Sequence, residues 1–557
     1  MLDVLIEGGT LVDGTGAAPR RADVGVRDGR VVLDRAALRA EEPRQRIDAG
    51  GLVVAPGFVD VHTHYDAQIM WDPAALPSPL HGVTTVIGGN CGFTLAPLGD
   101  DHDASDWLAR MFARVEGVPL DALRAGVDWA WHDFGSWLAR AGAGLGVNAG
   151  FLVGHSALRR SVMGADAARR EATGAEVSHM CRLLHGALAS GGLGLSTSQA
   201  PTHHDGSGEP VPSRAAGHDE LIALASCLRD HDGTGIEIVL AGCLSRLSGD
   251  EADLMADMSV AAGRTVNWNV LAVSADRPEV HRHQLEASRR GAARGASVVA
   301  LTLPYPMRVR LSFLTGAILE GLPGWGGIFG LDVDERIALL SDRGRRRELA
   351  DAARSPAAGM LGVLARWDRL TIAETFAAAN DGLARRTVGD IAAERGVDAF
   401  DALCDVVVAD GLRTGLVPPR HGESDADWAL RVEVMRGGGV VVGGSDAGAH
   451  LDMMCGAVYT TTLLAEAVRE RALMPVEEAV HLLSDVPARL CGLVGRGRLV
   501  DGADADVVVF DLDGAAPEPE RTVADLPGGA ARLYAGAVGI PHVLVGGVAV
   551  VTDGVPT

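Results

Sequence analysis

Eight short apolar stretches recur through the middle of this 557-residue chain, each of a length that suits one β-strand. In chain order they read GFVDVH, VTTVIG, VNAGFLVG, GLGLSTS, GIEIVL, RTVNWNVL, ASVVALTL and GGVVVGGSD. Stretches with helical periodicity, such as DELIALASCLRD and DEADLMADMSVAAG, lie between them. Eight strands that alternate with helices form a parallel sheet that closes into a (β/α)8 barrel. The sequence therefore predicts an α/β protein with a TIM-like barrel over residues 57–486.

The two ends of the chain have a different pattern. Both DVLIEGGTLVDGTG near the start and PHVLVGGVAVVTDG near the end alternate apolar residues and break at glycine turns. Each end is too small to bury a core by itself. We therefore expect residues 1–56 and 487–557 to pair into one small β-sandwich.

The connection between the seventh and eighth strands is unusually long, from about residue 304 to 436. It contains helical sequence such as DERIALLSDRGRRRELADAARS, which predicts a helical insertion over the mouth of the barrel. Loops of this length inside a compact domain are usually functional.

The composition excludes several classes of partner. The net charge of −23 would repel the phosphates of nucleic acid. The seven cysteines include no CxxC pair, which favours a reducing compartment. Neither a signal peptide nor an apolar run of membrane-spanning length is visible. We expect a cytoplasmic protein that acts on a small molecule without membrane contact, and the sequence leaves a homo-oligomer open.

Candidate metal ligands lie where the predicted strands end, which is where barrels of this kind carry their active sites. His62 and His64 are two residues apart after the first stretch, so their side chains would point to the same side. Cys91 follows the second stretch and Asp446 the eighth, which completes a tetrahedral zinc set. As alternatives, the two histidines form a surface pair, Cys91 is a small buried hydrophobe, and Asp446 caps a helix.

Other polar residues share these strand ends. His155 is a candidate for stabilising an oxyanion, or else a hydrogen-bonded core histidine. The candidates for substrate contact, each with a solvated or structural role as the alternative, are His203, Glu237, Asn267, Asn269 and His450.

The split terminal sandwich, the H-x-H after strand one and the Ser445-Asp446 pair after strand eight resemble the amidohydrolase superfamily. The motifs HGVTTVIGGNCGF, VGHSALRRSVMG, GGLGLSTS and GSDAGAHLD look like its D-aminoacylase (N-acyl-D-amino-acid deacylase) branch, and the likeness covers nearly the whole chain. The resemblance implies that the Cys91 thiolate is a metal ligand, in place of the carboxylated lysine of dihydropyrimidinases and phosphotriesterases. This chain contains no lysine, so a lysine-bridged mechanism is excluded.

The chain departs from the dizinc members of the family, which have a histidine on strand five and another on strand six. Here those strands offer Glu237, Asn267 and Asn269, and asparagine is a poor zinc ligand. We therefore expect one zinc ion per chain, held by a single set: His62, His64, Cys91 and Asp446.

The expected activity is hydrolysis of the amide C–N bond of an N-acyl amino acid, and the resemblance implies the D form. Zinc would lower the pKa of water to roughly 7, and Asp446 would move the proton to the leaving nitrogen. A substrate carboxylate would need an arginine, for which Arg159, Arg214 and Arg308 are equal candidates. One alternative is a C–N hydrolase of the same fold for a non-amino-acid amide or cyclic amide. The other is a catalytically silent barrel that serves as a binding module, although a silent barrel has no need of a complete ligand set.

Overall fold

All eight predicted parallel strands are present in the computed structural model, which describes residues 1–99, 103–243 and 245–557. Their bounds are Phe58–Asp60, Val83–Gly88, Asn148–Phe151 continued by Val153–Gly154, Gly194–Ser198, Gly235–Val239, Val266–Asn269, Val298–Thr302 and Val440–Val442. Neighbours in this order pair in parallel, and the third strand is interrupted at Leu152. The interruption divides them into a three-stranded and a six-stranded sheet. The protein is of the α/β class.

The first and eighth strands meet just beyond their carboxyl ends. The Asp446 amide donates to the His62 carbonyl oxygen at 3.1 Å, and the His64 amide donates to the Ala447 carbonyl oxygen at 2.7 Å. Thr63 and Ala447 form an isolated parallel bridge. These bonds bring the two histidines beside the loop that carries Asp446.

The parallel strands are buried along almost their whole length, and the second is buried at every position. Continuous Val and Ile runs are typical of parallel strands that are covered on both faces. The helices that accompany strands three to seven are His155–Met163, Gly174–Ala189, His218–Cys227, Gly249–Ala262 and Pro278–Ala293. Two of them begin with capping boxes, Thr173 with Glu176 and Ser248 with Glu251, which fix where these helices start.

Further helices lie outside this regular alternation. Between strands two and three they are Ala104–Glu116, Leu120–Gly126 and Phe134–Ala141, and after strand eight they are Tyr459–Thr462, Val476–Leu483 and Asp485–Leu490. A π-helical stretch, Leu463–Glu470, continues the first of the latter group.

The long connection between strands seven and eight contains five α-helices and a two-stranded antiparallel sheet. The helices are Val333–Ser341, Arg343–Ala353, Val388–Arg395, Ala399–Ala409 and Asp425–Arg436, and the strands are Thr371–Glu374 and Gly415–Val417. It has its own hydrophobic core, in which the ring of Trp367 lies 5.6 Å from Trp325 and 4.9 Å from Phe400.

The two ends of the chain share one sheet and one core. A seven-stranded sheet has the order Val555–Pro556, Val548–Thr552, His542–Val545, Val507–Phe510, Val53–Pro56, Thr10–Leu11 and Arg20–Arg21. A four-stranded sheet has the order Arg30–Val32, Val24–Arg27, Leu2–Glu7 and Pro43–Asp48. Ile6 and Val24 from the smaller sheet and Val54, Val507 and Leu544 from the larger one pack in the same cluster.

No helix in the described ranges combines the length and the apolar character needed to cross a lipid bilayer.

Candidate metal centre

The structure brings His62, His64 and Cys91 together. Their candidate ligand atoms all lie within 4.8 Å of one another, and His62 Nε2 is 3.5 Å from Cys91 Sγ. The two imidazole rings are 5.2 Å apart between centroids and nearly perpendicular. All three residues are buried. A cluster of two nitrogens and one sulfur at such distances is of the kind that holds a transition-metal ion.

Asp446, on the loop after strand eight, lies beside the two imidazoles but is not part of the group of ligand atoms within 4.8 Å of one another. Its Oδ1 atom is 3.0 Å from His64 Nε2 and 3.4 Å from His62 Nε2. The Asp446 side chain is 24% exposed, whereas that of His64 is 1% exposed. The carboxylate therefore lies between the buried imidazoles and the open side of the site.

The two histidines have the same orientation relative to their surroundings. Each directs Nε2 toward Asp446 and uses Nδ1 for a partner farther out. His64 Nδ1 lies 3.2 Å from Glu116 Oε1, and His62 Nδ1 lies 3.0 Å from the Asn269 side-chain amide. The Asn269 amide nitrogen also donates to Glu237, so it faces His62 Nδ1 as a donor. His64, by contrast, can keep a proton on Nδ1 while its Nε2 lone pair stays free. Metal-binding histidines are usually held in this way.

The backbone of the site is strained. Cys91, Asp446 and His450 have φ values of 56°, 58° and 49°, which non-glycine residues rarely adopt. Gly448 is confined as well, because a Cβ atom there would lie 2.5 Å from the His64 carbonyl oxygen. Such conformations cost on the order of 1–3 kcal/mol each and concentrate at functional sites.

Five buried or partly buried carboxylates surround the imidazoles: Asp60, Asp66, Glu116, Glu237 and Asp446. Burial raises the pKa of Asp60 to about 6 and that of Asp66 to about 7. Burial, followed by nearby acids, holds the pKa of Glu116 well above its ordinary value. None of the ion pairs made by the described residues brings an arginine to these five acids, and the chain has no lysine. Such a group of buried acids without a cationic side chain fits a metal cation, which would favour their ionised forms.

The imidazoles of His62 and His64 lower the pKa of Asp446. Partial burial opposes its ionisation, but hydrogen bonds to His62 and His64 outweigh burial and hold the Asp446 pKa well below its ordinary value. Burial lowers the pKa of His64 to about 4. Burial and then the charges of Glu237 and Glu116 raise the pKa of the Cys91 thiol. A Cys91 thiolate therefore needs a cation beside it, which a metal would provide.

A profile of the amidohydrolase family matches residues 45–551. The chain belongs to the amidohydrolase family. It is a metal-dependent hydrolase that acts on C–N bonds other than peptide bonds.

Relatives of this amidohydrolase include D-aminoacylase of Alcaligenes xylosoxydans xylosoxydans, which is 29% identical over 512 residues, 91% of this chain and 88% of the relative. Two solved structures superpose with a TM-score of 0.63 and 27% identity, covering 100% of this chain and 98% of theirs. One is N-acyl-D-glutamate deacylase of Bordetella bronchiseptica with zinc and a phosphonate that mimics the tetrahedral intermediate. The other is a D-aminoacylase described by its binuclear metal centre, with one-metal activation and second-metal attenuation.

Three residues predicted to contact substrate form a buried layer beside the candidate metal ligands of this amidohydrolase. Glu237 Oε2 accepts a hydrogen bond from the Cys91 amide at 2.8 Å, and its Oε1 accepts one from Asn269. Asn267 in turn donates to the Asn269 side-chain oxygen at 3.3 Å. Burial raises the pKa of Glu237 to about 7. The contacts of these side chains are with the Cys91 turn, His62 and one another.

His155 and Arg159 belong to a different cluster. His155 Nδ1 lies 2.9 Å from Thr197 Oγ1 and its Nε2 lies 2.8 Å from Glu220 Oε1. Arg159 is fully buried, pairs with Glu220 and donates to main-chain oxygens. Both ring nitrogens of His155 are thus engaged, and among the described contacts none joins this cluster to the four candidate ligands.

We call His450, which lies beside Asp446, and His203 with its contact Arg214 the rim of the site. His450 Nε2 lies 3.8 Å from Asp446 Oδ2. Burial, and then the charges of His64 and His450, lower the pKa of His203 to about 4. Arg214 donates to the His203 carbonyl oxygen at 3.2 Å. This side of the site is rich in hydrogen-bond donors.

The other arginine candidates already have acidic partners. Arg308 lies 2.9 Å from Glu423 and 3.6 Å from Glu466, both outside the metal cluster. Arg214 makes no ion pair with any residue in the described parts of the chain. Among the described residues, Arg159 and Arg308 thus have acidic partners and Arg214 does not, a difference that the sequence did not show.

Glu116 is the main residue of the site that the sequence did not reveal. It ends the helix Ala104–Glu116, far from any strand end, and its contact with His64 depends on how that helix packs. Its only sequence signal is an acid beside Gly117 at a helix terminus. Asp66 was also missed, although it continues the alternation of His62 and His64.

Proposed function

We propose that this amidohydrolase is a zinc-dependent deacylase that cleaves the amide bond of an N-acyl-D-amino acid. The observation that carries the proposal is the convergence of His62, His64 and Cys91, with Asp446 Oδ1 at 3.0–3.4 Å from both imidazoles. Relatives that align over most of the chain are a D-aminoacylase and an N-acyl-D-glutamate deacylase with zinc. The donor set also suits zinc, which prefers nitrogen, thiolate and carboxylate ligands.

We also propose that the parallel strands close into a (β/α)8 barrel over residues 57–486, with a sandwich made of residues 1–56 and 487–557. The parallel pairing in chain order and the Thr63–Ala447 bridge support closure. The core shared by the terminal sheets supports the sandwich. The insertion over residues 304–436 has a core of its own and would cover the barrel mouth.

One zinc ion per chain is the expected content. Strands five and six carry Glu237, Asn267 and Asn269, and these side chains are already hydrogen-bonded to each other and to the Cys91 turn. Asparagine binds zinc poorly, so a second ion would have only one good ligand there. The relative with one-metal activation supports a mononuclear working state.

The mechanism assigns proton transfer to Asp446. When bound, zinc supplies a Lewis acid that acidifies water and polarises a carbonyl group. Asp446 is a partly exposed carboxylate beside both imidazoles, so it can accept the proton of the attacking water. The same carboxylate then delivers the proton to the amide nitrogen, which cannot leave as an anion.

We assign oxyanion stabilisation to His203 in preference to His155. His203 Nδ1 lies 2.8 Å from Ser198 Oγ, which leaves Nε2 for another partner, and the low pKa keeps the ring neutral. A neutral imidazole whose Nδ1 accepts a hydrogen bond carries its proton on Nε2 and can donate it. His155 has no such freedom, since both of its nitrogens have partners in the core.

The substrate carboxylate is assigned to Arg214. Arg159 is paired with Glu220, and Arg308 with Glu423. Arg214 has no acidic partner among the described residues and lies against His203, on the rim of the site. A guanidinium without a counterion can bind a carboxylate in bidentate geometry.

A substrate screen tests the proposal. The zinc-loaded protein is assayed with matched N-acyl-D- and N-acyl-L-amino acids, with the same acyl group on a neutral amine, and with cyclic amides. We expect turnover of the D series at the highest kcat/KM. Preferred turnover of the neutral or cyclic amides would support the alternative C–N hydrolase, and no turnover with zinc bound would support a binding module.

A further inference from the structure

The helix Ala104–Glu116 ends directly against the loop that carries Asp446. Gly117 terminates the helix with a φ of 63°, and a Cβ atom there would lie 3.3 Å from the His450 Cα atom. The His450 amide donates to the Glu116 carbonyl oxygen. The backbone of Glu116 is therefore fixed to the loop on one side of the metal cluster.

The side chain of Glu116 reaches the other side of the same cluster. Its Oε1 atom lies 3.2 Å from His64 Nδ1, and the two side chains are 3% and 1% exposed. Both atoms are buried and neither makes a hydrogen bond in the described structure, so each is an unsatisfied polar atom that faces the other. A carboxylate at the C-terminal end of a helix also opposes the helix dipole. Burying an acid at this position therefore does not by itself stabilise the fold.

The contact has a specific chemical consequence for His64. A neutral imidazole carries one N–H, and its other nitrogen has the lone pair. A carboxylate beside Nδ1 favours the proton there, so the lone pair stays on Nε2, which faces Asp446 and His62. With the proton on Nε2 instead, His64 would hydrogen-bond to Asp446 and have nothing to offer a metal.

We propose that Glu116 is a positioning residue that accepts a hydrogen bond from His64 Nδ1 and so holds His64 in its metal-binding tautomer and orientation. The inference rests on the metal centre of the proposed function but does not depend on the identity of the substrate. Partners of this kind typically change metal affinity by about 10–100-fold when they are removed.

The chain contains a matched control, a second buried glutamate–histidine pair. Glu220 Oε1 lies 2.8 Å from His155 Nε2, and both residues are buried. This pair is joined to Arg159 and Thr197 and has no described contact with the metal cluster. Removing the charge of Glu220 should therefore cost stability but leave metal binding unchanged.

The experiment measures Zn²⁺ affinity by competition with a chromophoric chelator, without substrate. The variants are Glu116→Ala, Glu116→Gln, Glu116→Asp and the control Glu220→Gln, each checked for folding by circular dichroism and thermal melting. We expect zinc binding to weaken about 100-fold in Glu116→Ala and about 10-fold in Glu116→Gln, whose amide oxygen still accepts a hydrogen bond. Glu116→Asp should restore part of the loss, and Glu220→Gln should bind zinc like the parent.

Unchanged zinc affinity in folded Glu116→Ala would overturn the proposal. If Glu116→Ala does not fold, unchanged affinity in folded Glu116→Gln would overturn it, since a bound cation favours the ionised form of Glu116 and its charge strengthens the bond. An equal loss in Glu220→Gln would also overturn it, because the effect would then follow from general destabilisation. Zinc binding without deacylase activity would refute the proposed function alone, whereas a parent protein that binds no zinc would refute both.

Discussion

Replacing Asp446 by asparagine separates proton transfer from the binding of the metal. Asparagine has nearly the same shape but cannot accept and carry a proton at neutral pH. His62, His64 and Cys91 remain, and their ligand atoms already lie within 4.8 Å of one another. We therefore expect Asp446→Asn to fold and to keep zinc with reduced affinity.

The expected loss is in kcat. Asp446 approaches both imidazoles and is the residue to which proton transfer is assigned, so the general acid–base contribution is at stake. That contribution is about 10²–10⁴-fold, which corresponds to roughly 3–5 kcal/mol of activation free energy. Because the residue acts on the reacting water and nitrogen, KM should change far less than kcat.

The assay measures kcat, KM and zinc content on the same zinc-saturated samples. Asp410→Asn is the matched control, since Asp410 is a buried carboxylate that accepts hydrogen bonds from the Phe376 and Ala377 amides inside the insertion. It should lower the melting temperature without lowering kcat. A folded, zinc-loaded Asp446→Asn protein with a kcat near that of the parent would refute the proton-transfer role.

Four further predictions follow from the same contacts. Cys91→Ala should lose most of its zinc, and the Cys91 thiol of the parent should react with alkylating reagents only after chelation, as seen by mass spectrometry; unchanged zinc would exclude it as a ligand. Elemental analysis should find about one zinc ion per chain, and two tightly held ions would show that Glu237 fills a second site. Arg214→Gln should raise KM for N-acyl amino acids while leaving the matched neutral amides unaffected, and equal effects on both would contradict carboxylate binding. Burial lowers the pKa of His81 from 6.5 to about 4, so its contribution to stability is present above pH 6.5 and is lost as the pH falls toward 4. Between pH 6.5 and 4, the free energy of unfolding should therefore fall by about 3 kcal/mol less in His81→Gln than in the parent, as measured by urea unfolding. An unchanged dependence on pH would refute this.

The sequence predicted the parallel strands well because their signal is local. Stretches such as VTTVIG are apolar at nearly every position, and the structure buries Val83–Gly88 completely. The H-x-H pair was also readable, because two residues separated by one in an extended chain point the same way. His62, His64 and Cys91 then meet, with Asp446 beside the two histidines, because parallel strands end at the same edge.

The remaining parts of the site depend on contacts between distant segments. His155 follows a strand end, yet it opens a helix and turns to Glu220, 65 residues away. Arg308 differs from Arg214 in its contacts with Glu423, 115 residues later in the chain, and with Glu466. Glu116 belongs to a helix whose sequence does not show what its last turn touches. Position at a strand end therefore identifies candidates, but not the direction in which a side chain points.

Cys91, Asp446 and His450 have a left-handed backbone, so the residue type that favours stability there differs from the one that favours activity. Glycine adopts positive φ without steric cost, so at these three positions the residue best for the fold is one that has no functional side chain. A mutant library sorted only for thermal resistance should accumulate glycine there and lose activity as it gains stability. Stabilising this enzyme by directed evolution therefore requires a screen for turnover in every round.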